Sequence, residues 1–256
     1  MTLLQVFDAE ALTVEVYDTA AALAQAAAAR VIEQLSQTLT AQAQATVLLA
    51  TGNSQLGLLS HLRQQPQAID WSKVTGFHLD EYLGLGASEP ASFQYYLDQK
   101  IAQYLPFQAF HYLQGEALEP VAECERYEKL LRSQPLDLAL LGIGQNGHLA
   151  FNDPAVAHFQ EPRWVKLVKL DGQNRQQQVD GGAFATLSGV PQYAYTLTLS
   201  AISSVRSLLC LAFGESKARI VRQLLQGPIT PECPASILRK HPQATLFLDA
   251  AAAREL

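Results

Sequence analysis

Apolar positions in this chain follow two periods in turn, and the alternation predicts the elements. Leu3 to Phe7 and Thr13 to Tyr17 read as extended segments, and Asp18-Thr19 is an N-cap for an alanine-rich helix expected to run to about Leu39. The apolar run Thr46 to Ala50 reads as a strand buried on both faces; the loop Thr51-Gly52-Asn53 breaks it, and Ser54 to Gln64 reads as a helix. The beat recurs with strand Val74 to Leu79 and helix Ser92 to Tyr104, then strand Phe110 to Leu113 and helix Pro120 to Ser133, with proline in the first turn. Strands follow at Leu136 to Leu141, Val165 to Leu170, Tyr193 to Leu199, Ser207 to Phe213 and Thr245 to Leu248, with a helix from Glu215 to Leu225 and a short one from Pro234 that reads as packing. The polar stretch Gln173 to Gln178 reads as an exposed loop or lid.

Strands alternating with helices predict an α/β fold, a doubly wound, mainly parallel sheet flanked by helices, as one domain over residues 1–256. In such sheets ligands bind beyond the carboxyl ends of the strands, so the loops leaving apolar strands are where chemistry is expected.

Composition narrows the classes. With 256 residues, 48% hydrophobic and 16% charged, the chain can bury a sizeable core without staples. Its three cysteines, Cys124, Cys210 and Cys233, lack any Cys-x-x-Cys pairing and predict reduced thiols. The start carries acids where a secretory signal needs a basic region, and the alanine-rich helix holds Gln25, Arg30, Glu33 and Gln34, so a cytoplasmic protein without a membrane partner is expected. A net charge of -6 removes the electrostatic case for nucleic acid, yet a single small phosphate needs only one or two placed cations and backbone amides.

Four loops carry candidate chemistry. Thr51-Gly52-Asn53-Ser54 joins a buried strand to a helix; it reads either as a plain turn with an N-cap or as an anion site built from a glycine, unpaired helix amides and two hydroxyls. Asp80-Glu81-Tyr82 puts adjacent acids where a strand ends: a solvated turn, or a cleft carboxylate of raised pKa able to take a proton beside a carbonyl. Gly142-x-Gly144-x-x-Gly147 matches the dinucleotide-binding fingerprint, but Asn152-Asp153-Pro154 forbids the long helix that fingerprint needs. What remains is a glycine turn presenting His148, with Asn146 and Asp153 near enough in sequence to fix its tautomer. Finally, Gly214-x-x-Lys217 sets a cation in the first turn of a helix, where an anion would explain it.

Together these loops resemble the glucosamine-6-phosphate deaminase family, within the group that includes 6-phosphogluconolactonase. The resemblance runs from the Thr51 turn through Asp80-Glu81-Tyr82 and Gly142-Ile143-Gly144-x-Asn146-Gly147-His148-x-Ala150-Phe151-Asn152 to Val190-Pro191, Gly214-x-x-Lys217-Ala218 and Pro234-Ala235-Ser236. It implies deamination with aldose-ketose isomerisation of an amino-sugar phosphate, glucosamine 6-phosphate to fructose 6-phosphate and ammonia, without metal or organic cofactor. By resemblance, Asp80 moves a proton from C2 to C1, and His148 assists ring opening, held by Asn146 and Asp153. Thr51, Gly52, Asn53, Ser54, Gly144 and Lys217 would bind the substrate and its phosphate.

Three departures stand out. Many members have Asp where Asn146 stands and Glu where Asp153 stands, and the segment between Lys169 and Val190 lacks the Asn-x-Arg-Phe-Phe context of a second phosphate-binding arginine, leaving Arg175 as its only cation. The rival readings are lactone hydrolysis, which needs no base at C2, and a non-catalytic sugar-phosphate sensor, which has no use for both Asp80 and His148. Nothing in the sequence fixes whether the protein is a monomer or a homo-oligomer.

Overall fold

The computed structural model describes residues 2–256, so Met1 of the acidic start lies outside the described residues, as do the side chains of Gln173 and Gln177 in the polar stretch. Strands β1 (Leu3–Ala9) and β2 (Leu12–Tyr17) form an antiparallel hairpin. Helix α1 (Ala20–Ala41) starts where the sequence predicts, with the Thr19 side chain accepting from the Ala22 amide. There follow β3 (Ala45–Leu49), α2 (Asn53–Gln64), β4 (Val74–His78), β5 (Asp80–Tyr82), α3 (Phe93–Leu97), β6 (Ala109–His111), α4 (Pro120–Arg132) and β7 (Leu138–Gly142). The chain continues with β8 (Val165–Lys169), α5 (Gly172–Asp180), β9 (Tyr193–Leu197), α6 (Leu199–Ser203), β10 (Ser207–Ala212), α7 (Ala218–Gln226) and β11 (Ala244–Asp249).

Eight strands form the main sheet in the order β1-β2-β11-β10-β7-β3-β4-β6, all neighbours parallel except the opening hairpin. The continuous apolar runs are explained by burial on both faces. Val47, Leu49, Leu138, Leu140, Leu209 and Leu211 point to the side covered by α1 and α2, while Leu48, Ala139, Leu141, Leu208 and Cys210 pack on the other side with Tyr127 of α4 and Val221 and Leu224 of α7. The direction of winding reverses between β3 and β7, so the loops leaving those strands flank the crevice of a doubly wound sheet.

Three expectations need correction. The strands near Val165 and Tyr193 do not extend the parallel sheet; β8 and β9 pair antiparallel with each other and with β5 in a separate three-stranded sheet, where they meet short acidic β5 rather than a helix-flanked neighbour. Gln173 to Gln178 lies within helix α5 rather than a loop, because Asp171 caps its start by accepting from the Asn174 amide at 2.6 Å. The helix expected to reach Tyr104 leaves α geometry after Leu97 and continues as a π-turn over Asp98–Ala102. The three cysteines are buried and unpaired, and no helix among the described residues is long and apolar enough to cross a membrane.

Candidate active site

Four neighbouring parallel strands, β10, β7, β3 and β4, end on the same edge of the sheet, and the four candidate loops are the segments that leave them. The order of the strands therefore gathers residues that lie more than a hundred positions apart.

The turn after β3 has a geometry that can hold an anion. Gly52 stands at φ +95° as the residue before α2, and no side chain caps the first-turn amides of that helix. Its shape is fixed from two sides: the Tyr96 hydroxyl donates to the Gly52 carbonyl at 2.8 Å, and Gln55 Nε2 donates both to Ser54 Oγ at 3.0 Å and to the Leu141 carbonyl of β7 at 3.1 Å. Thr51 and Ser54 are half-buried, whereas Gly52 and Asn53 are exposed. Lys217 reaches across from the loop after β10, where its Nζ donates to the Ile143 carbonyl at 2.6 Å. Burial lowers the pKa of that ammonium, an environment that an incoming anion reverses.

The adjacent acids after β4 have opposite environments. Glu81 accepts from the Tyr82, Phe93 and Gln94 amides at 2.8, 3.0 and 2.8 Å and from Ser92 Oγ at 2.9 Å, so its carboxylate anchors the N-terminus of α3. Burial pushes its carboxyl up, and those donors hold the rise back. Asp80, only 7% exposed, accepts no hydrogen bond from the described residues. Burial first, and then the charge of Glu81, push its carboxyl well above the usual carboxylate range. Of the two neighbouring acids, Glu81 is taken up by the start of α3, and Asp80 is the one left without a hydrogen-bond donor among the described residues.

The glycine turn after β7 presents His148. The His148 ring lies over Gly144, where any Cβ would come within 2.2 Å of it. The Gly147 carbonyl is held by the Ala235 amide at 2.8 Å, which gives the Pro234 segment its packing role. His148 Nδ1 sits 3.0 Å from Asp153 Oδ1, and Asn146 Nδ2 donates to the same oxygen at 2.8 Å while Asn146 Oδ1 accepts from the His148 amide at 3.2 Å. Burial opposes the charge on Asp153, but hydrogen bonds from His148, Asn146 and Asn174 outweigh it and hold its carboxyl below the ordinary value. An ionised Asp153 can only accept at that oxygen, so the Nδ1 proton stays on the ring and, in the uncharged form of the imidazole, Nε2 is the acceptor.

The two halves of the site meet at β9. Thr196 lies opposite Asp80 in the small sheet, and its Oγ1 accepts from the Phe151 amide at 3.1 Å. Asn152 Nδ2 donates to the Leu197 carbonyl at 2.8 Å. The loop carrying His148 is thus stitched to the strand that positions Asp80. No helix follows the three glycines over residues 148–160, as Asn152-Asp153-Pro154 predicts.

The Arg175 guanidinium donates to the Leu187 and Val190 carbonyls at 2.6 and 2.9 Å. Sequence reasoning missed Tyr96, Thr196 and Asn174, whose roles depend on contacts across the fold. Only Asn174 left a trace, since Asp171 three positions earlier is a helix-start signal. Among the described residues no group of three or more His, Cys, Asp or Glu could hold a metal ion.

The family model of glucosamine-6-phosphate isomerases/6-phosphogluconolactonase matches residues 18–247. A glucosamine-6-phosphate deaminase of Lactobacillus delbrueckii subsp. bulgaricus is 36% identical over 208 residues, 81% of this chain and 86% of that protein. One of Bacillus cereus is 36% identical over 204 residues, 80% of this chain and 75% of that protein. Among solved structures, a monomeric glucosamine-6-phosphate deaminase superposes with a TM-score of 0.88 at 33% identity, covering 95% of this chain and 99% of that one. A 6-phosphogluconolactonase from Thermotoga maritima shares the fold, with a TM-score of 0.76 at 20% identity over 93% of this chain and 99% of its own.

Proposed function

The chain belongs to the family of glucosamine-6-phosphate isomerases and 6-phosphogluconolactonases, and from that premise we infer that it is a glucosamine-6-phosphate deaminase, converting glucosamine 6-phosphate and water to fructose 6-phosphate and ammonia. The observation that carries the reading is the contrast at Asp80 and Glu81: one carboxylate is committed to four donors, the other is buried, unpartnered and raised in pKa. Lactone hydrolysis breaks no C–H bond and needs no base at C2. Proton abstraction beside a carbonyl does need one, and a desolvated carboxylate is a stronger base than a solvated one.

In this reading the phosphate binds the turn Thr51 to Ser54 and Lys217, whose Nζ leaves the Ile143 carbonyl for the anion, and Gly144 lines the sugar. Anchoring the phosphate limits the freedom of the open-chain sugar and lowers the entropic part of the barrier. His148, neutral with its proton on Nδ1, receives the anomeric hydroxyl proton at Nε2 and passes it to the ring oxygen as the C1–O5 bond breaks, leaving an aldehyde at C1. Asp80 then removes the proton from C2, and the electron pair moves onto the C1 oxygen, which takes a proton from the substrate's own ammonium group to give an enol amine. The same carboxyl returns that proton to C1, which leaves C2 as an imine; water adds to it and ammonia departs. Asn146 and Asp153 hold His148 in its tautomer throughout. The buried free thiols and an intracellular type of substrate support a cytoplasmic setting.

The test is to incubate the purified protein with glucosamine 6-phosphate and measure ammonia and fructose 6-phosphate together, with Asp80→Asn beside it. Equal release of both, lost in the variant, is the expected result. Turnover of 6-phosphogluconolactone that survives Asp80→Asn would overturn it.

A further inference from the structure

Helix α5 has no apolar side to dock with. Its sequence, Gly-Gln-Asn-Arg-Gln-Gln-Gln-Val-Asp, holds one apolar side chain, Val179, and that residue is half-buried. A helix of this kind is seated by polar contacts or not at all. Among its described side chains the one that is buried is Asn174, 1% exposed. Asn174 Nδ2 donates to Asp153 Oδ2 at 3.0 Å, and its Oδ1 is buried with no partner among the described residues. An unpaired buried amide oxygen is costly, so the placement calls for a reason beyond packing.

The reason lies in how Asp153 is held. Asn146 and His148 both bond to Oδ1, which leaves the plane of the carboxylate free to turn about that oxygen. Asn174 is the donor on Oδ2 and fixes the plane. The direction of the His148 Nδ1–H bond, and with it the aim of Nε2, then depends on α5 being in its seat. Arg175, the next residue, ties the same part of the helix to the Leu187 and Val190 carbonyls. The same arrangement accounts for the shorter acid at position 153: a second amide, delivered from a separate helix, makes up for its reach.

We propose that Asn174 is a positioning residue of this enzyme, a polar latch through which helix α5 orients the Asp153 carboxylate and hence His148. The proposal rests on the deaminase reading for its kinetic consequence but not for its geometry. Outer partners of this kind typically change rates 10- to 100-fold.

The test compares the wild type with Asn174→Ala and with Asn174→Asp, which keeps the shape and removes the donor. Kinetics on glucosamine 6-phosphate are read beside the Nδ1–H resonance of His148 in 15N-histidine-labelled protein without substrate, assigned by its loss in His148→Gln. The expected result is kcat down about tenfold in Asn174→Ala with KM within about twofold, a larger loss in Asn174→Asp, and a broadened or missing Nδ1–H signal in both. Wild-type kcat in either variant, or a loss of rate with the His148 signal unchanged, overturns the proposal. Should Asn174→Ala fail to fold, the isosteric Asp variant carries the comparison. Should the wild type itself not turn over the sugar phosphate, the deaminase reading falls and the resonance alone decides the latch.

Discussion

The Tyr96 hydroxyl donates to the Gly52 carbonyl at 2.8 Å, and the helix that carries Tyr96 begins on the carboxylate of Glu81, next to Asp80. One short helix therefore spans from the proposed base to the proposed phosphate turn. For a substrate with its phosphate on C6 and its reacting proton on C2, that span sets where the proton lies relative to Asp80. Tyr96→Phe removes one neutral hydrogen bond from the turn, worth about 0.5–1.5 kcal/mol. Steady-state kinetics should show KM for glucosamine 6-phosphate rising roughly three- to tenfold with kcat little changed. A fall in kcat alone would place Tyr96 with the base rather than the phosphate.

Asp80→Asn should separate activity from stability. Loss of the base predicts a fall in kcat of about 10²- to 10⁴-fold. The folded protein also raises the pKa of Asp80, so its stability declines as pH rises from the unfolded carboxyl's value through the folded one, and above that the full penalty of burying the charge remains. Asparagine removes the penalty. At pH 7 the melting temperature should rise by roughly 2–4 °C, the size that a gain near 1 kcal/mol produces in a chain of this length. A lower melting temperature than wild type would mean that Asp80 is paired in the folded protein.

Gly144→Ala places a methyl where the His148 ring lies, 2.2 to 2.4 Å from its ring atoms. The ring has to turn away, breaking its alignment with Asp153. Activity should drop at least 100-fold, a larger effect than one added methyl produces at the surface, with circular dichroism unchanged. Full activity would show that His148 works from another rotamer.

Asp153→Asn leaves His148 without an anionic partner and should lower kcat about 10- to 100-fold. Its stability effect has a pH signature. The folded protein holds the Asp153 carboxyl below its ordinary value, so the stability it brings is fully present above the unfolded pKa of about 3.9 and fades as pH falls through the folded value. Urea unfolding of the two proteins should differ at pH 6, and the difference should shrink as pH falls below the unfolded value of about 3.9. Curves that stay parallel down to pH 2 would assign the difference to packing instead.

Much of this architecture could be read from the sequence because burial on two faces leaves a simple mark. Leu48 and Leu49, or Leu140 and Leu141, face opposite sides of one sheet, and an unbroken apolar run is the only pattern that satisfies both sides. The glycine turn and its histidine were legible for a similar reason, since close approach to a ring leaves no choice of residue at position 144. Strand β5 left no such mark. Its three residues are two acids and a tyrosine, and it is a strand because β9, more than a hundred positions later, supplies the ladder. Helix α5 was hidden because it docks through an amide and a guanidinium, so it carries no hydrophobic period. Tyr96 and Thr196 belong to the same class: nothing local to either residue says what it will touch.

Because Asp80 is aligned residue for residue with Thr196, the small sheet works as a counting device. A single residue inserted or lost between His78 and Tyr82 would slide the ladder by one step, offer Glu81 to the sugar and strip α3 of its anchor. The connections on either side of β8 escape that arithmetic. Descendants of this chain are therefore expected to vary in length around residues 158–164 and 181–189, and to keep the spacing from Phe77 to Tyr82 without exception.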